Sequence, residues 1–291
     1  MEWYFFAIAS AIVTAIIGVT EKKILQHEHS LTFSVAHAII ALVVSLPFFI
    51  YFDFSAITPE LIIAIYFAML LAAAAFWLTA KGVKHLELSV SSPLTLLNFI
   101  FLPFLAFLFV GERLSFKQIA GVCLIMLGVL ALELIVHHGK FFPRITTKGK
   151  EKYFLFMLIA GLFYAVIAIF DKYLLSAMNP FTYLLLAHFF IALNSLLIFA
   201  FFDKGFKKDL KKIFSQDLKI TIFVAFLSVI QRLAFAFAVS ATYISIAVAI
   251  KRLSILFSTL LAGKLFHEKN IVEKLAVSIL MLIGALLLVW P

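Results

Sequence analysis

Arg232, Lys251 and Arg252 are the residues of this chain best suited to chemistry, because each stands in an apolar run of about twenty residues. Bringing a charge to the centre of a bilayer costs at least ~2.5–3.5 kcal/mol, so such a charge normally faces a cavity or a partner. The runs that hold these three contain no Asp or Glu. Arginine offers a planar fork to a carboxylate or phosphate, and lysine a point charge. The pattern therefore predicts a positively charged pocket. Arg232 precedes the polar turn at 240–243 by about eight residues, and Lys251 follows it by about eight. At ~1.5 Å per residue both are ~12 Å from one membrane surface and share a depth. Lys251, Ser254 and Ser258 share one helical face, as do Ser228, Gln231 and Arg232 on the neighbouring run. Arg252 is rotated ~100° from Lys251, so one of the pair is expected in the cavity and the other against a neighbouring helix. The competing reading makes the cations structural, satisfied by helix carbonyls, Asn98 or Asn194, or snorkelling toward headgroups.

The elements that must position them follow from composition. The chain has 291 residues, 65% hydrophobic and only 13% charged. No soluble domain is built that way. The apolar runs lie at roughly 2–20, 31–52, 60–80, 87–109, 115–136, 153–171, 180–202, 218–239, 244–263 and 271–290. The expected fold is therefore all-α and membrane-integral, with ten transmembrane helices. The first run is read as a span rather than a removable signal peptide, since it has no basic leader and no small-residue cleavage site. The single Cys123 excludes a disulfide framework and a thiolate metal site. No metal or cofactor motif is present, and a nucleotide-binding loop is absent, so direct drive by ATP is not expected.

The polar stretch from His137 to Lys152 divides the runs into two sets of five. The expected domains are a first repeat at 1–139, a linker at 140–152 and a second repeat at 153–291. At an offset of 150, Glu21-Lys22 aligns with Asp171-Lys172, Thr32-Phe33 with Thr182-Tyr183, and Phe52-Asp53 with Phe202-Asp203. At 156, Glu112 aligns with Glu268 and Gly128 with Gly284. Five crossings are an odd number, so the second copy must be inverted, with a substrate site expected in a central cavity between the copies.

Span four is the repeat mate of span nine. Its Ser91, Thr95 and Asn98 form one stripe, aligned with Ala247, Lys251 and Ser254. The wall is cationic in one half and neutral-polar in the other, which suits a ligand with one anionic end. His37 and His188 occupy matching places one position out of register and are candidates for proton coupling. Glu21 and Asp171 come at the ends of their spans and are expected to be solvated. The net charge of +9 does not indicate nucleic acid, because it sits mostly in short loops. The odd-numbered loops carry 2, 2, 5, 6 and 3 Lys and Arg, 18 in all. The even loops carry Arg113, Lys117 and Lys172, and the three intramembrane residues complete the 24. By the positive-inside rule the odd loops are cytoplasmic and both termini outside.

Gly111-Glu112-Arg113 after span four, with Glu268 in the same place after span nine and Gly121 and Gly128 following, resembles the EamA branch of the drug/metabolite transporter superfamily. The resemblance implies a secondary carrier of two inverted five-helix bundles, in a prokaryotic cytoplasmic membrane, with both termini inside. That orientation conflicts with the loop charge. The second copy has Phe266-His267 where the first has Val110-Gly111. Lys251-Arg252 is also similar to the paired Lys-Arg of plastid sugar-phosphate translocators, where the pair grips phosphate. A third basic residue that those relatives carry in span four is absent here, with Asn98 or Phe99 nearest. Small cation-exporting relatives rely on a carboxylate well inside span one, where this chain has Ser10 and Thr14.

The function expected is alternating-access transport of a small organic metabolite bearing a carboxylate or phosphate, driven by a proton or ion gradient or by exchange. Its site residues are Arg232, Lys251, Arg252, Gln231, Ser254, Asn98 and Thr95, and its partners are the lipid bilayer, the metabolite and a coupling ion. A flippase for a lipid-linked intermediate and a membrane enzyme acting on a lipid phosphate are the alternatives. No catalytic residue or nucleic-acid partner is assigned.

Overall fold

In hydrocarbon every backbone N–H and C=O must be satisfied within the chain, and a helix does this within one segment. The computed structural model describes residues 2–25, 30–85, 98–136, 151–202, 218–258 and 271–289. Among them are ten helices: α1 (Trp3–Leu25), α2 (Ser30–Ser45), α3 (Pro59–His85), α4 (Asn98–Leu105), α5 (Phe116–Val136), α6 (Glu151–Ala177), α7 (Pro180–Phe202), α8 (Leu218–Ala241), α9 (Ile244–Lys251) and α10 (Ile271–Val289). Tight 3₁₀ turns extend α2 over Leu46–Tyr51, and a π-helical turn extends α4 over Ala106–Val110. Hydroxyls inside the helices bond their own backbone: Thr14 donates to Ser10 O at 2.7 Å, and Ser240 to Ala236 O at 2.9 Å.

Four stretches are long and apolar enough to cross a membrane: Pro59–Thr79, Lys152–Ala177, Pro180–Ile198 and Leu218–Ala241. Shorter apolar helices cover Trp3–Gly18, Val35–Tyr51, Phe101–Val110, Phe116–Ala131 and Val277–Val289. Large side chains point outward, with Phe109 73% and Phe116 88% exposed. So much exposed apolar surface is tolerable only against lipid or a partner. Inside, large side chains such as Ile65 and Met69 alternate with many small ones. Ala7, Ala11 and Ala15 of α1, and Ala247 and Ala249 of α9, are fully or almost fully buried, which lets neighbouring backbones approach closely.

The helix contacts display the inverted repeat. α2 packs on α7 and α5 on α10, each helix against its own repeat mate. The other principal pairs interchange when the first five helices are swapped for the second five. Thus α1·α8 becomes α6·α3, α2·α8 becomes α7·α3, and α1·α9 becomes α6·α4. The mates are antiparallel. Gly121 lies against Gly284 and Leu288, whereas Gly128, further along α5, lies against Met281, earlier on α10. The end of α2 likewise meets the start of α7, with Tyr51 stacked on Phe181 at 4.7 Å. The fold is therefore two inverted five-helix repeats, as the sequence implies.

The ends of the helices near residues 51–58, 111–115, 178–179 and 242–243 form one closed face. Asn179 caps α7, its Oδ1 accepting Thr182 N at 2.8 Å ahead of Pro180 in the first turn. Asp53 N donates to Thr182 Oγ1 at 2.9 Å across the two halves. The hydroxyl and backbone N–H of Ser55 hold the exposed Asp53 carboxyl below the ordinary carboxylate range. Beneath this loop, Phe6, Phe237, Phe181 and Tyr51 form a row of ring contacts with neighbouring centroids 4.7–5.6 Å apart.

The α5–α10 seam supplies a stability prediction. A Cβ on Gly121 would stand 2.8 Å from the Gly284 carbonyl oxygen, and one on Gly284 equally close to the Gly121 oxygen. Gly121→Ala must push two backbones apart and is expected to cost about 1–3 kcal/mol. Gly18→Ala, with nothing within 4 Å, is expected to be neutral or to gain up to about 1 kcal/mol from helix propensity. Denaturant unfolding in detergent micelles measures both, and equal effects would contradict the close seam.

Candidate functional site

Six helices enclose a cavity of about 480 Å³. Its wall includes Thr14 of α1, Thr79 of α3, Leu102 of α4, Tyr164 and Asp171 of α6, Arg232 and Phe235 of α8, Lys251 at the end of α9, and Arg252 and Ser254 just after it. The structure thus brings together all three intramembrane cations, which the sequence could only place at a common depth.

Both Lys251 and Arg252 reach the cavity, against the expectation that only one would. The reason is local. The helix is interrupted at Arg252, whose N–H is shared between Val248 O at 3.1 Å and Ala249 O at 3.2 Å. Ile255 N then bonds Arg252 O in a tighter three-residue step, so regular spacing by ~100° fails at this residue. Lys251 Nζ sits 4.4 Å from the centre of the Phe235 ring, a cation–π contact.

The second correction is the carboxylate. Asp171 is not solvated: it is 8% exposed and sits on the cavity wall. α6 continues six residues past it to Ala177, so Asp171 is ~9 Å inside the helix end and close to the depth of the cations. Tyr183, 2% exposed on α7, donates from its hydroxyl to Asp171 Oδ1 at 2.7 Å. Arg232 Nη1 donates to the same hydroxyl at 3.4 Å. Arg232 and Lys251 both act electrostatically on Asp171. Spans eight and nine hold no acid of their own, but span six supplies one.

The remaining candidates divide. Gln231 donates to Ser10 Oγ at 2.9 Å and ties α8 to α1 without lining the cavity. Ser258 donates to its own helix at Ile255 O, 2.9 Å away. His37 is hydrogen-bonded to Ser228 at 2.9 Å. His188 is 4% exposed, and its Nδ1 has no hydrogen-bond partner among the described residues. Arg232 acts electrostatically on both histidines, and His37 acts on His188. Asn98 begins α4, but its side chain lies outside the described residues, as do Ser91, Thr95 and the side chain of Glu21. No cluster of His, Cys, Asp and Glu fit for a metal occurs among the described residues.

A pair of charges secures the turn between α8 and α9, which carry the cations. Glu112, 4% exposed, accepts Ile244 N at 2.5 Å, Ser245 N at 3.3 Å and Ser245 Oγ at 2.7 Å, capping the start of α9. Gly111 makes this possible. Its φ of 72° turns the chain out of the π-helical turn, while Glu112 N bonds back to Ala106 O at 3.1 Å. Lys172 caps the end of α8, donating to Val239 O at 2.8 Å and Thr242 O at 2.7 Å. An anion at a helix start and a cation at a helix end are the favoured arrangement. The sequence marked Glu112 as part of a motif and counted Lys172 as a loop charge, but neither role was legible there.

A family model for the EamA-like transporter family matches residues 1–134 and 151–290. The chain belongs to this family. It is an integral membrane transporter of the drug/metabolite type, and the family consists of transporters rather than enzymes. No curated protein sequence matches the chain. One protein of known crystal structure has 12% sequence identity and a TM-score of 0.79, over 98% of this chain and 95% of its own. At that identity the likeness concerns the fold alone.

The Glu112 cap is expected to matter to an EamA-like fold held together at this turn. Glu112→Ala leaves the first N–H groups of α9 buried without an acceptor and is expected to cost about 1–3 kcal/mol. Glu112→Gln keeps an acceptor and should lose less. Thermal unfolding in detergent orders the three proteins, and an alanine variant as stable as the parent would remove the capping role.

Proposed function

We propose that the cavity binds a small metabolite carrying a carboxylate or phosphate, and that the protein carries it across the membrane by alternating access. One observation supports this most directly: Arg232 and Lys251 stand on one cavity wall against a single described carboxylate, Asp171. Cations in a medium of low dielectric need anionic partners, and the carboxylate or phosphate of a ligand can serve as one. Lys251 rests on the face of Phe235, a contact that uses none of its N–H groups as donors to an oxygen. Arg252 and Ser254 extend the anion-binding wall, and Asn98 and Thr95 are assigned to its neutral end. A volume of about 480 Å³ falls in the range usual for small-molecule pockets, ~300–1,000 Å³. It favours a metabolite over a bulky lipid-linked intermediate.

The repeats 1–139 and 153–291, joined by 140–152, would rock about the cavity. We orient the odd loops toward the cytoplasm. Removing Lys172 from the three even-loop charges, because it caps α8, leaves two and sharpens the bias. The closed face and the α8–α9 turn then lie outside, with both termini.

Thermal stabilisation of the purified protein by inorganic phosphate, glucose 6-phosphate, succinate and choline tests this reading. An anion at a hundredfold excess over its Kd should add about 2.7 kcal/mol. Lys251→Gln and Arg232→Gln should abolish the effect. Stabilisation by choline alone, or by anions equally in all variants, would refute it.

A further inference from the structure

Asp171 stands beside the cations that a substrate anion would need. It lines the same cavity as Arg232 and Lys251, shares their depth, and feels both charges. Its Oδ1 is joined to Arg232 through one hydroxyl, that of Tyr183. A second carboxylate or phosphate cannot enter beside an ionised Asp171 without placing two anions in one small, water-poor space. Like charges so placed do not both remain ionised. Removing one partner from a buried charge set leaves the other uncompensated, which is strongly unfavourable. A proton on Asp171 resolves the conflict, because the neutral acid releases the cations and keeps its hydrogen bond with Tyr183.

We infer that Asp171 is the proton-binding site of this transporter and that substrate anion and Asp171 carboxylate exchange places on Arg232 and Lys251. The inference rests on the anionic-substrate reading above. The anion enters, Asp171 accepts one proton from water on the open side, and no bond to carbon or phosphorus is made or broken. For a singly charged anion the total charge of the cavity is the same before and after, since one negative charge replaces another. Anion and proton therefore travel together, one proton for each displaced negative charge. The empty carrier returns with Asp171 ionised on its cations.

Other titratable groups face this site, and each is a rival seat for the proton. Tyr183 approaches Asp171 from α7, Arg232 from α8 and Lys251 from α9. Tyr164 lies on the same helix and the same wall. The described wall from α1, α3 and α4 adds Thr14, Met69, Ala72, Thr79 and Leu102, none of them charged. His37 of α2 and His188 of α7 are electrostatic neighbours of Arg232. Lys172, next in sequence, is turned to the end of α8, where Glu112 is its charged neighbour. Asp171 alone among the described residues of this wall is an acid that can trade places with an anionic ligand.

The experiment measures binding of sulfate, an anion whose own charge is constant over the range titrated, to purified protein as a function of pH. In the parent, apparent affinity should rise about tenfold per unit fall in pH wherever Asp171 is ionised in the empty protein. Asp171→Asn should bind at every pH about as tightly as the parent does at the acid end, with no slope. In infrared difference spectra of the parent, sulfate should raise the carbonyl band of a protonated carboxylic acid, a readout that needs no variant. A slope that survives in Asp171→Asn puts the proton on Lys251, His37 or His188 and overturns the inference. Sulfate binding without the carbonyl band overturns it too, and both results leave the anion reading standing. Sulfate bound equally by the parent and Lys251→Gln overturns the anion reading and this inference with it.

Discussion

Neutralising charge where water cannot reach is the constraint from which the rest of this structure follows. An ion in hydrocarbon must find a counter-ion, a helix end, a ring face or a cavity. All four solutions occur within two turns of helix. Arg232 and Asp171 share Tyr183, and Lys251 rests on Phe235. Glu112 and Lys172 discharge themselves on the open ends of α9 and α8. The acid, the base and the two helix dipoles all converge on one turn. That convergence fixes the register of the two helices that carry the cavity's cations.

The architecture is symmetric, but its chemistry is not. The swap of α1–α5 for α6–α10 maps the principal packing onto itself, because packing between apolar helices asks mainly for small residues and matching lengths. Charge obeys no such relation. Lys251 corresponds to Thr95, and Ser254 to Asn98. Inverted symmetry supplies two equivalent halves, while the difference between the copies gives the space between them a polarity.

The number of crossings, the internal repeat and the cations were legible because each leaves a mark in one dimension: apolar length, offset and a charge out of place. Asp171 was misread because the end of an apolar run was taken for the membrane surface. A signal was available. Asn179-Pro180 is a cap followed by a first-turn proline, so α6 ends just before it and Asp171 must lie about two turns inside. The break at Arg252 left no such mark, since nothing in Lys251-Arg252-Leu253 forces a shared hydrogen bond. The joint capping by Glu112 and Lys172 was equally hidden, because its partners are backbone atoms on other helices. Periodicity locates side chains on a helix, but it says nothing of which helix end they will meet.

The glycine seam bears on how such a molecule can move. At Gly121 and Gly284 the backbones of α5 and α10 touch, with no side chain between them. Side chains can repack around a change of angle, but two peptide planes in contact leave nothing to repack. In the rocking proposed above, the seam would serve as an axle shared by both halves, stiff to sliding, and travel would be taken up at a radius from it, by the six helices around the cavity. On the closed face, a row of ring contacts and a capped turn join the two halves above buried apolar residues such as Met178 and Ile244. Rigidity near the axis and a contact of rings and caps at the rim would divide the labour of a rocking body between two kinds of surface.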